Sequence, residues 1–519
     1  MEEILSLSTR HWSTRFSPLA TLMQSAKINP GNMSTFHLLN FGCRASQADG
    51  AALKKQLLDA GLREVESAEH SRVAILNTCT VTADADAEVR QVIRRIHRAN
   101  PQCRILVTGC YAQRAPEEIA RIEGVAWVVG NSHKHTVAEV LSAAVGRERE
   151  GAGREDSGRR SQLVGVPSSV CSQPLVEISN VDSVTPARES AAEVMVGEIS
   201  EEFHFAPVFP DDRTRPTLKV QDGCNARCSF CIIPAVRGAS RSLAPDLVVE
   251  QVRKLERAGF KEIVLSGINL GSYGRDLDRR ITFLGLLERI LGETSIPRIR
   301  ISSIEPMDVS PALIRLLAQE PRMAQHFHVP LQSGCDRILR QMSRRYWARQ
   351  YAERLARIRE QIPNCGIGAD VMVGFPGETD QDHASSARFI ESLPLTYVHV
   401  FPYSARPMTP AASKPKQVNG RVARDRGWEI RHLVAAKHRS FLAAQVGRAL
   451  SAITLGELND GTRMALTTNY LKVALPGSTT GQNVLLDVEV GRADDNLLYG
   501  YARESSFRSG ELLSIQAQC

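Results

Sequence analysis

The 519-residue sequence lacks any apolar run that approaches the roughly 18 residues of a membrane-spanning helix, so we expect no membrane partner. It shows no secretory signal, and its eleven cysteines, an odd number, are not spaced as in a small disulfide scaffold. Metal or redox chemistry in the cytoplasm is therefore the favoured use of these thiols. A strong charge of one sign is also missing. The 64 basic and 57 acidic residues leave a net charge of +7, which permits a nucleic-acid partner without requiring one.

Composition and length are those of a multidomain globular protein, with 43% apolar and 23% charged residues and room for about three or four domains. The pattern of strands, helices and polar stretches predicts a disordered leader, a parallel α/β domain, a long flexible linker, an α/β core and a small all-β domain. These five segments span residues 1–34, 35–140, 141–213, 214–445 and 446–512.

Six short apolar runs alternate with helical patterns between residues 217 and 401. This alternation predicts a partial (β/α)6 barrel, in which chemistry takes place at the carboxyl ends of the strands. The runs are Leu218 to Val220, Ile263 to Leu265, Ile299 to Ile301, His326 to Leu331, Ile367 to Val373 and Tyr397 to Phe401.

Cys224, Cys228 and Cys231 lie in GCNARCSFC, directly after the first predicted barrel strand. The CxxxCxxC spacing lets three thiolates converge on one iron–sulfur cluster and leaves one iron open to another ligand. The alternatives are a zinc knuckle or buried thiols. Zinc would require a fourth Cys or His nearby, and the next cysteine, Cys335, is far along the chain.

Cys43, Cys79 and Cys110 form a second set, because each directly follows a predicted strand, in NFGC, ILNTC and LVTGC. The carboxyl ends of parallel strands share one edge of a sheet, so these thiols can meet there and hold a second cluster. Three buried structural cysteines would give the same pattern, since Cys packs as a small hydrophobe. Spacing alone leaves both interpretations open. The other cysteines, Cys103, Cys171, Cys335, Cys365 and Cys519, show no ligand pattern.

The three-cysteine loop and the segments that follow it resemble the radical S-adenosylmethionine enzymes. LSGINLGSYG (Leu265 to Gly274), SSIEP (Ser302 to Pro306) and GADVMVGFPGET (Gly368 to Thr379) occur in that family's order. The resemblance implies that the open iron chelates S-adenosylmethionine and that one electron from the cluster cleaves it to a 5′-deoxyadenosyl radical. The cofactor contacts that it implies are Phe230, Ser266, Gly267, Ser302, Glu305, Gln332 and Gly374.

FGCRASQAD, NTCTVT and TGCYAQ resemble the amino-terminal domain of the methylthiotransferases, in which three cysteines bind an auxiliary [4Fe-4S] cluster. The same family has sequences like IIPAVRG (Ile232 to Gly238) and PLQSG (Pro330 to Gly334) and a carboxyl-terminal TRAM module. The resemblance therefore implies two [4Fe-4S] clusters and makes all six cysteines metal ligands and catalytic residues. It also implies two uses of S-adenosylmethionine, one to methylate a cluster sulfur and one to form the radical.

NTCTVT, GCYAQ and FPYSARPMTPAA (Phe401 to Ala412) most resemble the branch that converts N6-threonylcarbamoyladenosine at tRNA position 37 to its 2-methylthio derivative. The alternatives are the branches acting on isopentenyladenosine or on a ribosomal-protein aspartate, and a non-catalytic iron–sulfur RNA-binding protein. The expected partners are tRNA and an electron donor such as flavodoxin or ferredoxin. We expect a monomer or a weak dimer.

Arginine-rich stretches are the only electrostatic support for an RNA partner. A helix predicted from Asp336 to Glu360 has eight arginines against three acids, and the segment from Glu88 to Arg98 has four arginines. A solvent-facing surface would explain either one. Residues 446–508 have six basic and seven acidic residues, so an RNA role for this module depends on the resemblance of TTNYLKV (Thr467 to Val473).

Overall fold

The computed structural model describes residues 35–152, 192–200, 214–278, 280–458 and 460–503. No helix within these ranges is long and apolar enough to cross a membrane. The predicted leader, Cys171 and Cys519 lie outside the described residues.

The amino-terminal domain is a parallel six-stranded sheet with helices on both faces and the strand order β2-β1-β3-β4-β5-β6. Its central strand β3 is buried along its whole length because an apolar core lies on each face. The strands are β1 (Thr35–Asn40), β2 (Arg63–Glu64), β3 (Val73–Thr78), β4 (Arg104–Gly109), β5 (Val125–Gly130) and β6 (Glu193–Met195). The helices are α1 (Arg44–Asp59), α2 (Ala83–Ala99), α3 (Cys110–Arg114), α4 (Pro116–Ala120) and α5 (Val137–Ala152).

The segment predicted as a linker, 141–213, contains regular structure in its described residues. Helix α5 continues to Ala152, and β6 pairs in parallel with β5 as the sixth strand of the sheet. Met195 packs on the apolar core, which explains why this short strand forms. Three residues are too few to show a strand periodicity in the sequence. Residues 153–191 and 201–213 lie outside the described part of the chain.

The central domain is a partial α/β barrel, and each of its six predicted apolar runs contains or overlaps a strand. Two sheets, β8-β7-β9-β10 and β11-β12-β13, are joined by bridges from Ile299 to Met323 and from Ser303 to His328. Its strands are β7 (Thr217–Asp222), β8 (Arg241–Ser242), β9 (Glu262–Gly267), β10 (Arg298–Ile301), β11 (His326–His328), β12 (Gly366–Val373) and β13 (Tyr397–Pro402). Its helices are α6 (Ile233–Arg237), α7 (Pro245–Arg257), α8 (Phe283–Glu293), α9 (Pro311–Gln319), α10 (Asp336–Gln341), α11 (Ala348–Gln361), α12 (Asp380–Ser392) and α13 (Gly420–Ala443).

The single helix predicted from Asp336 to Glu360 is wrong, because the structure divides this segment into α10 and α11. The chain reverses between them at Ser343, whose φ is +60°, and the Arg344 amide donates to the carbonyl of Leu339 at 2.9 Å. Neither glycine nor proline marks this turn, so the sequence showed no break.

The carboxyl-terminal domain is a closed five-stranded barrel with the order β14-β15-β16-β18-β17. Its strands are β14 (Ala449–Glu457), β15 (Arg463–Thr467), β16 (Lys472–Leu475), β17 (Leu485–Ala493) and β18 (Leu498–Ala502). The β15–β16 turn places Tyr470 on His326, with ring centroids 4.4 Å apart, at the amino-terminal end of β11. This domain therefore closes the end of the α/β barrel opposite the predicted catalytic end.

Candidate active site

The structure places Cys43, Cys79 and Cys110 at the carboxyl ends of β1, β3 and β4, which are neighbours in the sheet. Gly42 lets the first two loops lie side by side, since its φ is +91° and a Cβ there would lie 2.4 Å from the Cβ of Cys79. The edge expected from the sequence therefore brings the three thiols to one place.

The three thiols are near enough to influence one another electrostatically. Burial, together with the charges of Cys110 and Cys43, raises the pKa of Cys79 to about 12. Three neighbouring thiolates would repel one another, so they need a positively charged metal centre to be stable as thiolates.

Within the described residues, no three His, Cys, Asp or Glu side chains are grouped as the ligands of one metal ion. A [4Fe-4S] cluster does not need such a grouping, because each cysteine binds a different iron.

The second set, Cys224, Cys228 and Cys231, lies on the loop between β7 and α6. Backbone hydrogen bonds hold this loop. The amide of Cys224 donates to the carbonyl of Gly238 at 3.1 Å, and the amide of Cys231 donates to the carbonyl of Cys228 at 3.1 Å. Burial, with smaller contributions from Cys228 and Cys224, raises the pKa of Cys231 to about 12. These three thiols therefore also interact, and they fit a cluster by the same argument.

A cavity of about 370 Å³ lies beside this loop and is lined in part by Cys228, Asn269, Glu305 and Arg344. Arg344, whose side chain is 6% exposed, donates to the Cys228 sulfur at 3.4 Å and forms an ion pair with Glu305. The sequence assigned Arg344 to a charged helix face that binds RNA or solvent. The structure buries it beside a predicted ligand instead.

The seven predicted cofactor contacts differ in their surroundings. Ser266, Gly267, Ser302, Glu305, Gln332 and Gly374 lie at or after the carboxyl ends of barrel strands, as a ligand at this end requires. Glu305 lines the cavity. By contrast, Phe230 packs against the apolar cluster around Met342 and Phe375, and the space beside Gly374 is filled by Ala423.

Unpaired buried polar atoms near the barrel mouth support a polar ligand there. Ser302 Oγ, Gln332 Oε1 and Asn269 Oδ1 are buried and have no hydrogen-bond partner among the described residues. Such atoms are costly unless a bound molecule satisfies them. Asn269 was not singled out from the sequence, although it lies within the glycine-containing segment LSGINLGSYG.

The two cysteine sets share a wall. Cys110 packs against Ile232, the residue that follows Cys231. Asn131 bridges the two loops, since its Nδ2 atom lies 3.4 Å from the Cys110 sulfur and donates to the carbonyl of Val236 at 2.8 Å. The sites thus adjoin across the contact between the amino-terminal domain and the barrel.

A buried ionic network reinforces this contact. Arg237 donates to Asp49 and to Asp222, both at 2.9 Å, and to the hydroxyl of Ser46, which lies 3.6 Å from the Cys43 sulfur. Burial would raise the pKa of Asp49, but Lys134, Lys219 and Arg237 hold it well below its usual range. The sequence showed Arg237 only as part of IIPAVRG.

Two family models and several curated proteins match this chain. The Radical SAM superfamily matches residues 218–390, and the uncharacterized protein family UPF0004 matches residues 35–130. A threonylcarbamoyladenosine tRNA methylthiotransferase of Aquifex aeolicus is 34% identical over 84% of this chain and 95% of its own length. The chain belongs to the radical S-adenosylmethionine methylthiotransferase family. S-adenosylmethionine and iron–sulfur clusters are accordingly its cofactors.

Other members of the methylthiotransferase family match at similar levels. The Bacillus subtilis protein of the same name as the Aquifex one is 34% identical over 89% of this chain and 94% of its own. A tRNA-2-methylthio-N(6)-dimethylallyladenosine synthase of Pelotomaculum thermopropionicum is 30% identical over 83% of this chain and 88% of its own. Among solved structures, the match to the radical S-adenosylmethionine methyltransferase TsrM of Kitasatospora setae covers 73% of this chain and 74% of the TsrM chain. The identity is 16% and the TM-score is 0.47.

Proposed function

We propose that this protein is a tRNA methylthiotransferase that converts N6-threonylcarbamoyladenosine at position 37 to its 2-methylthio derivative. The observation that carries the proposal is the shared wall between Cys110 and Ile232, which places the two cysteine sets next to each other. The name of the Aquifex relative supports the choice of substrate.

In this proposal Cys224, Cys228 and Cys231 hold the cluster that binds S-adenosylmethionine, and Cys43, Cys79 and Cys110 hold the auxiliary cluster. When bound, these groups would supply one-electron chemistry together with the methyl and sulfur atoms of the transferred group. One-electron chemistry is needed because the aromatic carbon–hydrogen bond of the substrate has no acidic proton for a base to remove. Residues 446–512 are assigned to a TRAM module, and the electron donor is a flavodoxin or a ferredoxin.

The chain's own residues bind and orient these groups. Arg344 places its charge between Cys228 and Glu305, where it donates to the Cys228 sulfur and so fixes the position of that side chain. Asn269 and Ser302 offer unpaired polar atoms to the polar groups of S-adenosylmethionine. Arg237 holds the two loops together through its buried ion pair with Asp49.

The direct test uses anaerobically reconstituted protein, S-adenosylmethionine, a reductant and tRNA that carries the threonylcarbamoyl group. Mass spectrometry of the digested nucleosides should show the 2-methylthio derivative, together with 5′-deoxyadenosine. A parallel reaction on isopentenyladenosine-containing tRNA is the control for substrate choice. A methylthio product only in that control, or no product with either tRNA, would contradict the proposal.

A further inference from the structure

A groove of about 800 Å³ lies on the amino-terminal domain between α2 and the residues that follow α4. Four arginines line it, and we call it the α2 groove: Arg90, Arg94, Arg98 and Arg121. The first three occupy every fourth position of α2, so they lie along one face of the helix.

The positive charge of the α2 groove is not neutralised by its own carboxylates. Glu118 is engaged by Arg90 at 2.9 Å and by Arg114, and Glu123 is 3.2 Å from His97. Arg94, Arg98 and Arg121 are exposed, and none has a carboxylate within 4.0 Å in the described part of the chain. Like charges four residues apart destabilise a helix, so this face is suited to a bound polyanion.

The α2 groove begins beside the cysteine sites. Helix α2 starts four residues after Cys79, and Asp86 in its first turn is bound by Arg406 of the barrel domain. Arg90 donates at 2.7 Å to the hydroxyl of Tyr111, the residue after Cys110. From there each helical turn carries the next arginine roughly 6 Å farther from the auxiliary site.

We propose that the α2 groove binds the phosphate backbone of the tRNA whose base enters between the two cysteine sets. Guanidinium groups suit this partner because their planar fork pairs with two phosphate oxygens at once. The inference rests on the proposed function, since it assumes an RNA substrate at the adjoining site. It assigns tRNA binding to the amino-terminal domain, whereas the carboxyl-terminal barrel is close to neutral.

The test compares the reconstituted full-length protein with the Arg94→Ala/Arg98→Ala/Arg121→Ala variant. Fluorescence anisotropy measures tRNA binding across a series of salt concentrations. Each lost phosphate contact makes the slope of log affinity against log salt shallower by about 0.7 to 0.9, so the triple variant should lose about two to three. Its affinity should also fall about tenfold or more near 150 mM salt.

The matched control removes three exposed arginines from outer barrel helices, in Arg253→Ala/Arg257→Ala/Arg315→Ala. Its affinity should change less than about twofold, because non-contacting charges act only through the screened field. An unchanged slope in the groove variant, or an equal loss in the control, would overturn the proposal. So would a groove variant that retains tRNA binding but no longer accepts electrons from an acidic flavodoxin, since the groove would then be a protein interface.

Formation of 5′-deoxyadenosine without tRNA separates this inference from the proposed function. The groove variant should form it at the wild-type rate, because none of its three substitutions touches a predicted ligand. If the wild-type protein binds tRNA through the groove but forms no methylthio product, the proposed function fails and the groove assignment stands. If product forms equally in the wild type and the groove variant at limiting tRNA, the groove assignment fails alone.

Discussion

Arg237 donates to Asp49 at 2.9 Å, and this ion pair joins the helix that follows Cys231 to the helix that follows Cys43. Both side chains are buried, with 2% and 5% of their area exposed. A contact that belongs to neither set of ligands thus joins the two cysteine regions.

Replacing Arg237 with methionine should therefore separate radical formation from product formation. Loss of one partner of a buried pair destabilises folding by about 3–5 kcal/mol, which denaturant unfolding would measure. The ratio of 5′-deoxyadenosine to methylthio nucleoside should also rise, since the two loops lose the buried ion pair that joins their helices. Arg237→Lys keeps the charge without the planar fork, and it should restore part of both properties. A normal ratio in Arg237→Met would mean that the pair only stabilises the fold.

Ser302→Ala tests the role of the unpaired hydroxyl at the barrel mouth. If this hydroxyl binds S-adenosylmethionine, its removal should weaken binding by about 0.5–1.5 kcal/mol, roughly two- to tenfold, in calorimetry of the reconstituted protein. Without ligand, the variant should unfold at an equal or higher temperature, because a buried hydroxyl without a partner has been removed. Ser440→Ala, at an exposed position on α13, is the control and should leave the affinity unchanged.

Glu262 gives a prediction about pH. Burial would raise its pKa, but Arg300, Arg215 and Arg298 hold it below the ordinary value of 4.5. A carboxyl group with a depressed pKa in the folded state stabilises the fold above its unfolded pKa, and this stabilisation is lost as the pH falls through the folded pKa. Urea unfolding should show Glu262→Gln to be less stable than the wild type at pH 7, by about 3–5 kcal/mol.

The stability difference between Glu262→Gln and the wild type should shrink as the pH falls below about 4.5, because the wild type then loses the same charge. Asp495→Asn is the control, since Asp495 is an exposed carboxylate on the carboxyl-terminal barrel. A difference of constant size from pH 7 to pH 3 would show that the Glu262 charge does not contribute to stability.

The sequence predicted those parts of the fold that depend on continuous burial. Strands such as β9 and β12 are apolar runs flanked by helical patterns, and that signal is local. The meeting of Cys43, Cys79 and Cys110 was also predictable, because a parallel sheet brings the carboxyl ends of its strands to one edge.

The remaining features depend on contacts between distant segments. Arg344 lay within an arginine-rich stretch, and only the turn at Ser343 directs it to Cys228. Tyr470 reaches His326 because the carboxyl-terminal barrel docks on the α/β barrel, which no local pattern encodes. The Arg237–Asp49 pair joins residues 188 positions apart, and neither residue is unusual in its own segment.

Anaerobic iron counting tests the central claim, that the chain holds two clusters on two adjoining sets of three cysteines. Reconstituted wild-type protein should contain about eight irons per chain, and Cys43→Ala/Cys79→Ala/Cys110→Ala should contain about four. Cys103→Ala, which removes a buried thiol outside both sets, is the control and should keep the wild-type count. A wild-type count of about four, or an unchanged count in the triple variant, would contradict the account.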